Sequence, residues 1–406
     1  MEGVEPELME SSKKDFYTLI VSATLFHISS QIVLPIFPLY LMERGASAFE
    51  LGLIISLRPA LTVLSKFLLS PLIDRSGRWP ILLTAMFGQF LSMLFYSLAP
   101  TIVWFYPIRV FQTICLALFS PTAISIIYDL SPSERRGDFI GRYLTSYGVA
   151  SMVGPLLCSI LCRYSTPYSG VFLFSSFLSL TGLAALLILL LPHKIIGHTA
   201  LYKGIKSRET TSLGSIRKLA FSRRGIALSY VRVAFSSVNS FVTTIFSVYA
   251  SEVLLYPPAE IALLFMVKGV TNTLFRVPSG LLTDRVGRIK PLLLAYALLT
   301  LTFLLLSELR DFRFLVLVMA LYGLSHAMRA VTEWSLLGDI TPREMRGIST
   351  AYFSLMFDVG DGVGSLFAGA ALTLLGAPFI FKLGSIILAS ALMMIPSLRK
   401  ARQNTR

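Results

Sequence analysis

The chain has 406 residues, of which 54% are apolar and 14% charged, with a mean hydropathy of +0.72 and a formal net charge of +14. A water-soluble domain carries about a quarter charged residues, so this composition excludes water as the main solvent and points to a bilayer. The length suffices for about a dozen spanning helices of roughly 20 residues each.

The positive charge follows topology. Most of the 36 Lys and Arg lie in links on one side of the expected membrane, both chain ends included. The positive-inside rule then makes this a multi-pass cell-membrane protein with both termini cytoplasmic, and attraction to anionic lipid is a minor contribution. The basic links hold few aromatics and no recognisable module, so no nucleic-acid partner is expected. Cys115, Cys158 and Cys162 lie in apolar runs without disulfide or metal-site spacing. They read as packing residues, and no metal site is expected.

In chain order, Met1–Glu10 is acidic, and the first apolar run, 17–41, is longer than a signal-peptide core. It is read as a spanning helix after a cytoplasmic tail over 1–16. Its Leu34-Pro35-Ile36-Phe37-Pro38-Leu39-Tyr40 holds two prolines, which predict a bend and carbonyls freed toward a cavity. Further spans are predicted over 49–72, 80–99, 101–128, 139–163 and 168–191, then over 226–250, 259–282, 290–307, 314–337, 348–375 and 377–397. The intervening Pro192–Arg224 sets eight Lys or Arg against one acid, Glu209. Leu213–Phe221 within it predicts a short amphipathic helix on the cytoplasmic leaflet, with Arg217 and Lys218 on its wet face. The expected plan is an all-α integral membrane protein of twelve transmembrane helices. It comprises a six-helix bundle over 17–191, a linker over 192–224, a second bundle over 225–397 and a basic cytoplasmic tail over 398–406.

The chain repeats itself. The link Gly280-Leu281-Leu282-Thr283-Asp284-Arg285-Val286-Gly287-Arg288 has a twin in Ser70-Pro71-Leu72-Ile73-Asp74-Arg75-Ser76-Gly77-Arg78. One separation of 210 residues relates them, and it also takes Asp129 to Asp339, Pro132 to Pro342, Glu134 to Glu344, Arg136 to Arg346 and Gly137 to Gly347. It further takes Arg58 to Lys268, Lys66 to Arg276 and Gly154 to Gly364. A register held through separate loop and helix regions makes the chain two copies of a six-helix unit in one orientation. Transporters are built this way, with the substrate near the midplane between the copies. Gly77 and Gly287 permit a sharp turn. Asp74 and Asp284 are placed to accept from a helix N-terminus or pair with a cation, and Arg75, Arg78, Arg285 and Arg288 to bridge to neighbouring helices and lipid phosphate. In the other paired link, Ser131 and Thr341 are expected to cap the turn that follows, with Pro132 and Pro342 next and Glu134 and Glu344 three residues on.

The doubled pattern G-x-L-x-D-R-x-G-R, complete from Gly280 and opening on Ser70 in the first copy, resembles the cytoplasmic-loop signature of major facilitator superfamily transporters. The resemblance covers nearly the whole chain. It implies the twelve-helix fold and, for Asp74, Asp284 and their arginine neighbours, a latch that holds one face of the transporter shut. Arg109 and Gln112 resemble the R-x-x-Q core of a family motif linked to proton coupling, with Thr113 where glycine is expected. Gly154-Pro155 is similar to the centre of a motif of proton-linked antiporters, whose flanking glycines are here Ala150, Cys158 and Ser159. Gly360 and Gly364 keep small residues in that register on the eleventh span, as a moving helix interface or plain close packing requires. The prolines of the first span look like those of drug-efflux members.

Charges within spans are costly and so mark function by default. They are Arg58, Lys66, Arg109, Arg142, Arg232, Lys268, Arg276, Arg329, Glu333, Asp358, Asp361 and Lys382. Arg142 and Lys382 lie near span ends and can snorkel, while Lys66 and Arg276 stand near the latch. Arg58 and Asp358 each lie about ten residues, or ~15 Å, into a span, and the family fold sets their helices side by side. A pair of Arg58 with Asp358 or Asp361 is expected, and Arg329 with Glu333, four apart, on one helix face. Arg109, Arg232 and Lys268 are then left with no obvious acidic partner, an excess that favours an anionic substrate group. His27, Gln31, Asn239 and His326 are available as hydrogen-bonding groups, and either histidine is equally at home as a packed core residue.

The leading expectation is a secondary active transporter working by alternating access, as a proton-linked exporter of a small organic solute or drug. Glu333, Asp358 and Asp361 are its coupling carboxylates. No cofactor is expected; the driving force is a proton gradient, the partners are a small solute and the lipid bilayer, and the working unit is a monomer. The first span lacks the acid found in many cation-drug exporters, which leaves an importer or exchanger of an organic anion, using Arg232 and Lys268, as the alternative. A membrane sensor on this fold would bind without flux. An enzyme is not expected, because no H-E-x-x-H, P-loop or nucleophile-elbow motif is present.

Overall fold

The computed structural model describes residues 4–131, 135–164, 167–190, 222–341 and 346–398, and within them the side chains of 4–13, 66–76, 136, 137, 189, 190, 223 and 346–348 are not described. The elements are α1 Val4–Ile32, α2 Phe37–Glu43, α3 Ala48–Ser76, α4 Arg78–Leu98, α5 Phe105–Leu130, α6 Arg136–Arg163 and α7 Tyr168–Leu190. They continue as α8 Arg223–Phe241, α9 Ser247–Glu252, α10 Pro258–Leu274, α11 Arg276–Val286, α12 Ile289–Glu308, α13 Phe312–Ile340 and α14 Arg346–Met394. There is no strand among the described residues, as expected where lipid offers the backbone no partner and each segment must bond internally. Among these residues nine helices are long and apolar enough to cross a membrane, or up to eleven if each of two bent pairs is one span.

Each bend has a proline behind it. α1 and α2 meet at 46°, with Pro35 in the break and Pro38 in the first turn of α2, where its missing N–H leaves nothing unpaired. The sequence pattern over 259–282 predicts one continuous span, but the structure breaks it at Phe275 and turns α11 by 43° from α10. Pro278 supplies no N–H to the Leu274 carbonyl and its ring crowds that group. α14 is interrupted at Gly376, whose φ of 71° and ψ of 155° are not helical. Gly77 and Gly287 take φ of 81° and 84°, a region that glycine enters at no steric cost. The sharp turns after α3 and α11 are thus built on the two matched glycines.

The chain falls into two compact units. One comprises Met1–Gly45, Leu61–Arg208 and Pro258–Met266, and the other Ala46–Ala60, Glu209–Pro257 and Val267–Arg406. In the first, α1 packs on α6 and α7, and α4 on α5 and α7. Phe16, Phe26, Met86, Phe119 and Tyr143 fill its core, where Phe26 and Phe119 stack with ring centres 3.6 Å apart. In the second, α8 packs on α14, and α12 on α13 and α14. Helices meet at their glycines. A Cβ on Gly154 would stand 2.8 Å from the Gln31 carbonyl carbon, and one on Gly364 2.3 Å from the Ser237 carbonyl oxygen. Gly360 likewise lies against Val233, and Gly52 of α3 against Gly369 of α14. Apolar side chains such as Leu98, Val103, Leu374 and Met393 remain exposed, as a lipid-solvated surface requires.

Several sequence expectations lie outside the described residues: the amphipathic helix over Leu213–Phe221, most of the basic linker, the last residues of the C-terminal tail, and Pro132, Glu134, Pro342 and Glu344. The side chains of Lys66, Asp74 and Arg75 are outside the description as well. Ser131 ends α5, and its hydroxyl donates back to the Tyr128 carbonyl at 3.4 Å.

Candidate functional site

Four helices of the second unit carry polar or aromatic stripes at helical spacing. α8 presents Arg232, Phe235 and Asn239; α10 presents Lys268 and Asn272, with Arg276 just past the bend at the start of α11; α13 presents Tyr322, His326, Arg329 and Glu333; α14 presents Phe353 and Phe357. Residues three and four apart share a helix face, so each stripe acts as a single edge, and the contacts below join them.

Glu333 is the centre of the first cluster and is fully buried. Its Oε2 accepts from Arg232 Nη1 at 2.9 Å and from Arg329 Nη1 at 2.5 Å. The Tyr296 hydroxyl lies 2.8 Å from Glu333 Oε1 and 2.8 Å from the Val231 carbonyl oxygen, so its single proton serves one of them at a time or is shared. Both guanidiniums are buried and lie over aromatic faces. Arg232 Cζ is 4.3 Å from the Phe353 ring centre, 4.7 Å from Phe357 and 5.5 Å from Trp334, and Arg329 Cζ is 3.6 Å from Phe235. Such contacts contribute ~2 kcal/mol when desolvated. The Nε atoms of Arg232 and Arg329 have no hydrogen-bond partner. Two cations thus share one carboxylate and keep donors in reserve.

The second cluster continues along α13. Lys268 Nζ stands 4.1 Å from the Tyr322 ring centre, and the Tyr322 hydroxyl donates to Asn239 Oδ1 at 2.6 Å. The His326 ring stacks on Phe235 at 5.2 Å, the same ring that receives Arg329. Asn272 Oδ1 accepts from Arg276 Nε at 3.2 Å and Nη2 at 3.1 Å, which turns the amide nitrogen toward His326 Nδ1 at 2.7 Å. Asn272 therefore donates, and His326 carries its ring proton on Nε2. α10 and α13 touch at Gly323, where an added Cβ would lie 2.3 Å from the Lys268 carbonyl oxygen.

The first unit is chemically different. Arg109 and Gln112 do meet, Nη1 to Oε1 at 3.2 Å, with the Tyr96 hydroxyl 3.3 Å from the same oxygen and the Phe37 ring centre 4.8 Å from Arg109 Cζ. His27 sits among Phe26, Phe119, Tyr143 and Tyr147, with buried Nε2 unpartnered. Gln31 is buried where Gly154 of α6 crosses α1. At the separation of 210, the partners of Arg232, Arg329 and Glu333 are Ser22, Phe119 and Ala123, while Phe353 and Phe357 correspond to Tyr143 and Tyr147. The repeat preserves the aromatic wall and gives the charged cluster to one copy.

The paired links do keep their chemistry. Arg78 Nη1 bonds Asp129 and donates to the Ser125 carbonyl at 3.2 Å. Arg288 Nε reaches Asp339 at 2.9 Å, and its Nη1 reaches Asp284 at 2.7 Å and the Thr283 carbonyl at 2.9 Å. The arginines and the aspartates of the two ties, Asp129 and Asp339, are again 210 apart. Each tie is half-exposed and contributes about 0–1 kcal/mol. Reversing one member, as in Asp339→Arg, is expected to leave the melting temperature within a few degrees yet slow transport, and adding Arg288→Asp to restore the rate. Flux and melting curves on the three proteins check this.

The model of the Major Facilitator Superfamily matches residues 19–257 and 230–405. The chain belongs to the Major Facilitator Superfamily. It is similar to an uncharacterized MFS-type transporter of Methanocaldococcus jannaschii, 20% identical over 93% of this chain and 96% of that one. It is also similar to the multi-drug resistance efflux pump PmrA of Streptococcus pneumoniae, 24% identical over 89% of this chain and 90% of that one. Among solved structures, a POT family transporter in complex with a thioalcohol-conjugated peptide aligns with a TM-score of 0.77 and 13% identity over 95% of this chain and 97% of that one. Membership makes the protein a membrane-embedded transporter of small solutes and not an enzyme.

Within this MFS protein the structure corrects one reading of the charges. Arg232 does have an acidic partner, because α8 and α13 bring it to the same Glu333 oxygen as Arg329. Four-residue spacing along one helix discloses the Arg329 pair; the Arg232 pair joins helices 101 residues apart and leaves no local trace. Arg276, at the start of α11, bonds Asn272 of α10 across the bend at Phe275. Lys382 pairs with Glu308 at 2.6 Å and Arg142 with Asp138 at 3.0 Å, both half-exposed. Arg58 is exposed and Asp358 and Asp361 partly buried. Their helices touch next to them, the Gly362 Cβ position lying 3.5 Å from Pro59. Tyr296, Tyr322, Phe235 and Asn272 escape a reading by charge alone; the three- and four-residue spacing of the stripes is the signal that finds Tyr322, Phe235 and Asn272, while Tyr296 on α12 belongs to none of them.

Proposed function

We propose that this MFS transporter is a proton-linked exporter of a small organic solute, working by alternating access as a monomer in the cell membrane with both termini cytoplasmic. The observation that carries the reading is Glu333, a fully buried carboxylate held by two guanidiniums and a tyrosine from three helices. A proton that reaches this carboxylate displaces one of its donors. Loading and unloading it therefore alters how α8 is tied to α13, which is the coupling an antiporter needs. Asp358 and Asp361 on α14, with Arg58 on the helix it touches, form a second acidic element of the same unit. The name of the pneumococcal efflux pump supports the direction of transport. On this reading the Gly376 break is a link between two spans and the chain is twelve spans in repeating halves at 17–191 and 225–397; the non-helical Gly376 supports it. Asp284, Arg285, Gly280 and Arg288, and Asp74, Arg75 and Arg78 in the first copy, act as the conformational latches.

Proteoliposomes with an imposed pH gradient and a library of labelled solutes test the reading. At least one solute is expected to accumulate against its gradient, and Asp358→Asn to abolish that accumulation while leaving solute-for-solute exchange intact. Accumulation that ignores the pH gradient would remove the antiporter reading.

A further inference from the structure

In the interior of the second unit Arg232 and Arg329 share Glu333. Arg232, Lys268 and Arg329 line one connected cluster on α8, α10 and α13. Lys268 is the informative member. It sits about ten residues, ~15 Å, into α10, half-buried, with its Nζ 4.1 Å from the Tyr322 ring centre and, among the described residues, no carboxylate in hydrogen-bond contact. An ammonium in lipid without a counter-ion is costly, and proteins retain such a group where something else supplies the charge. The surrounding groups point the same way. His326 lies within electrostatic reach of Arg329, Lys268, Arg276 and Arg232, and its proton sits on Nε2. The buried Nε atoms of Arg232 and Arg329 are unpartnered donors. Contacts run without a gap from Lys268 through Tyr322, His326 and Phe235 to Arg329. The unpartnered Arg232 Nε and Arg329 Nε and the Lys268 ammonium are all donors, and the walls between them are rings.

We infer that the second unit recognises the anionic group of an amphipathic solute with an aromatic or apolar body, Lys268 supplying the counter-charge and Tyr322 and Phe235 the flanking surface. The inference rests on the reading of this protein as a solute transporter and adds the class of solute: organic anions, carboxylates foremost, in preference to lipophilic cations. The ammonium, compact and strongly hydrated when free, gains most from an anion that replaces its lost water. The aromatic walls accept a ring without requiring one shape.

Matched probes of opposite charge test this. Trp334 lies beside Arg232, and in Trp79→Phe plus Trp104→Phe protein it is the remaining tryptophan. Energy transfer from it to a dansyl group reports occupancy in detergent, with no membrane gradient. Dansylglycine, an anion, is expected to bind saturably and dansylcholine, its cationic counterpart, at least about tenfold more weakly, a difference of ~1.4 kcal/mol. Lys268→Gln and Lys268→Met, read on monodisperse protein, are expected to weaken dansylglycine about tenfold or more, with Lys268→Arg within about threefold of wild type. Equal or tighter binding of dansylcholine, dansylglycine affinity indifferent to Lys268, or no saturable binding of dansylglycine would each overturn the inference. If both lysine variants aggregate, the wild-type preference between the two probes decides it. Because binding is measured without a pH gradient, a transporter that proves not to be proton-linked still passes or fails here on its own.

Discussion

Replacing Glu333 by glutamine is expected to be the most damaging isosteric change in the protein. Glutamine keeps the shape and loses the charge, and the two buried guanidiniums then face each other over a neutral amide. Breaking a buried ion pair on one side costs about 3–5 kcal/mol because the charge left behind is uncompensated. Here two are left. Arg232→Gln is expected to cost less, since Glu333 keeps Arg329 and Tyr296. Melting curves of purified protein in detergent, followed by monodispersity on a sizing column, give the order. The account requires wild type above Arg232→Gln and Arg232→Gln above Glu333→Gln. An unchanged melting temperature for Glu333→Gln would mean that the cluster is solvated and the ion pairs carry little.

Valine at Gly364 is the second large effect. Its Cβ would stand 2.3 Å from the Ser237 carbonyl oxygen and 2.6 Å from the Ser237 Cα, both on the facing backbone of α8, and no rotamer relieves a clash with backbone. α8 and α14 must separate, and a clash with backbone places the cost at the upper end of the roughly 1–3 kcal/mol that overpacking incurs. The separation also moves Phe353 and Phe357 off Arg232, so loss of transport is expected even where folded protein is recovered. Gly154→Val meets the Gln31 and Ile32 backbone in the matching place of the first unit and is expected to behave alike. Gly141 and Gly338 are the controls. A Cβ at either meets nothing within 4 Å, and alanine there is expected to be neutral or to add up to ~1 kcal/mol of helix stability. Yield and melting temperature of the four variants separate the two classes. Equal tolerance at Gly364 and Gly338 would contradict the packing described.

How far these sites are legible in the sequence depends on how local their signals are. Membrane residence, helical class and the duplication follow from composition and from the register that joins Asp74 with Asp284, because these are properties of the whole chain. Gly77 and Gly287 are legible because a sharp turn demands a residue with their freedom. The bend at Phe275 is not read from apolar run length, which passes smoothly through Pro278; the lost N–H at that proline is the local signal for it. Arg329 and Glu333 are legible as neighbours on one helix. The partnership of Arg232 with Glu333 depends on how α8 packs on α14 and how α12 holds Tyr296, and no periodicity encodes it. The same holds for the absence of the cluster from the first copy, where Phe119 and Ala123 stand in register with Arg329 and Glu333.

The central claim is that solute and proton movements are tied through the charged second unit. It is tested most directly by enclosing a pH-sensitive dye in proteoliposomes and imposing a gradient of a transported solute with no initial pH difference. The account predicts that solute leaving the lumen draws protons in, so that lumenal pH falls, and that Asp358→Asn vesicles exchange solute with no such change. Solute flux at constant lumenal pH in the wild-type protein would contradict it.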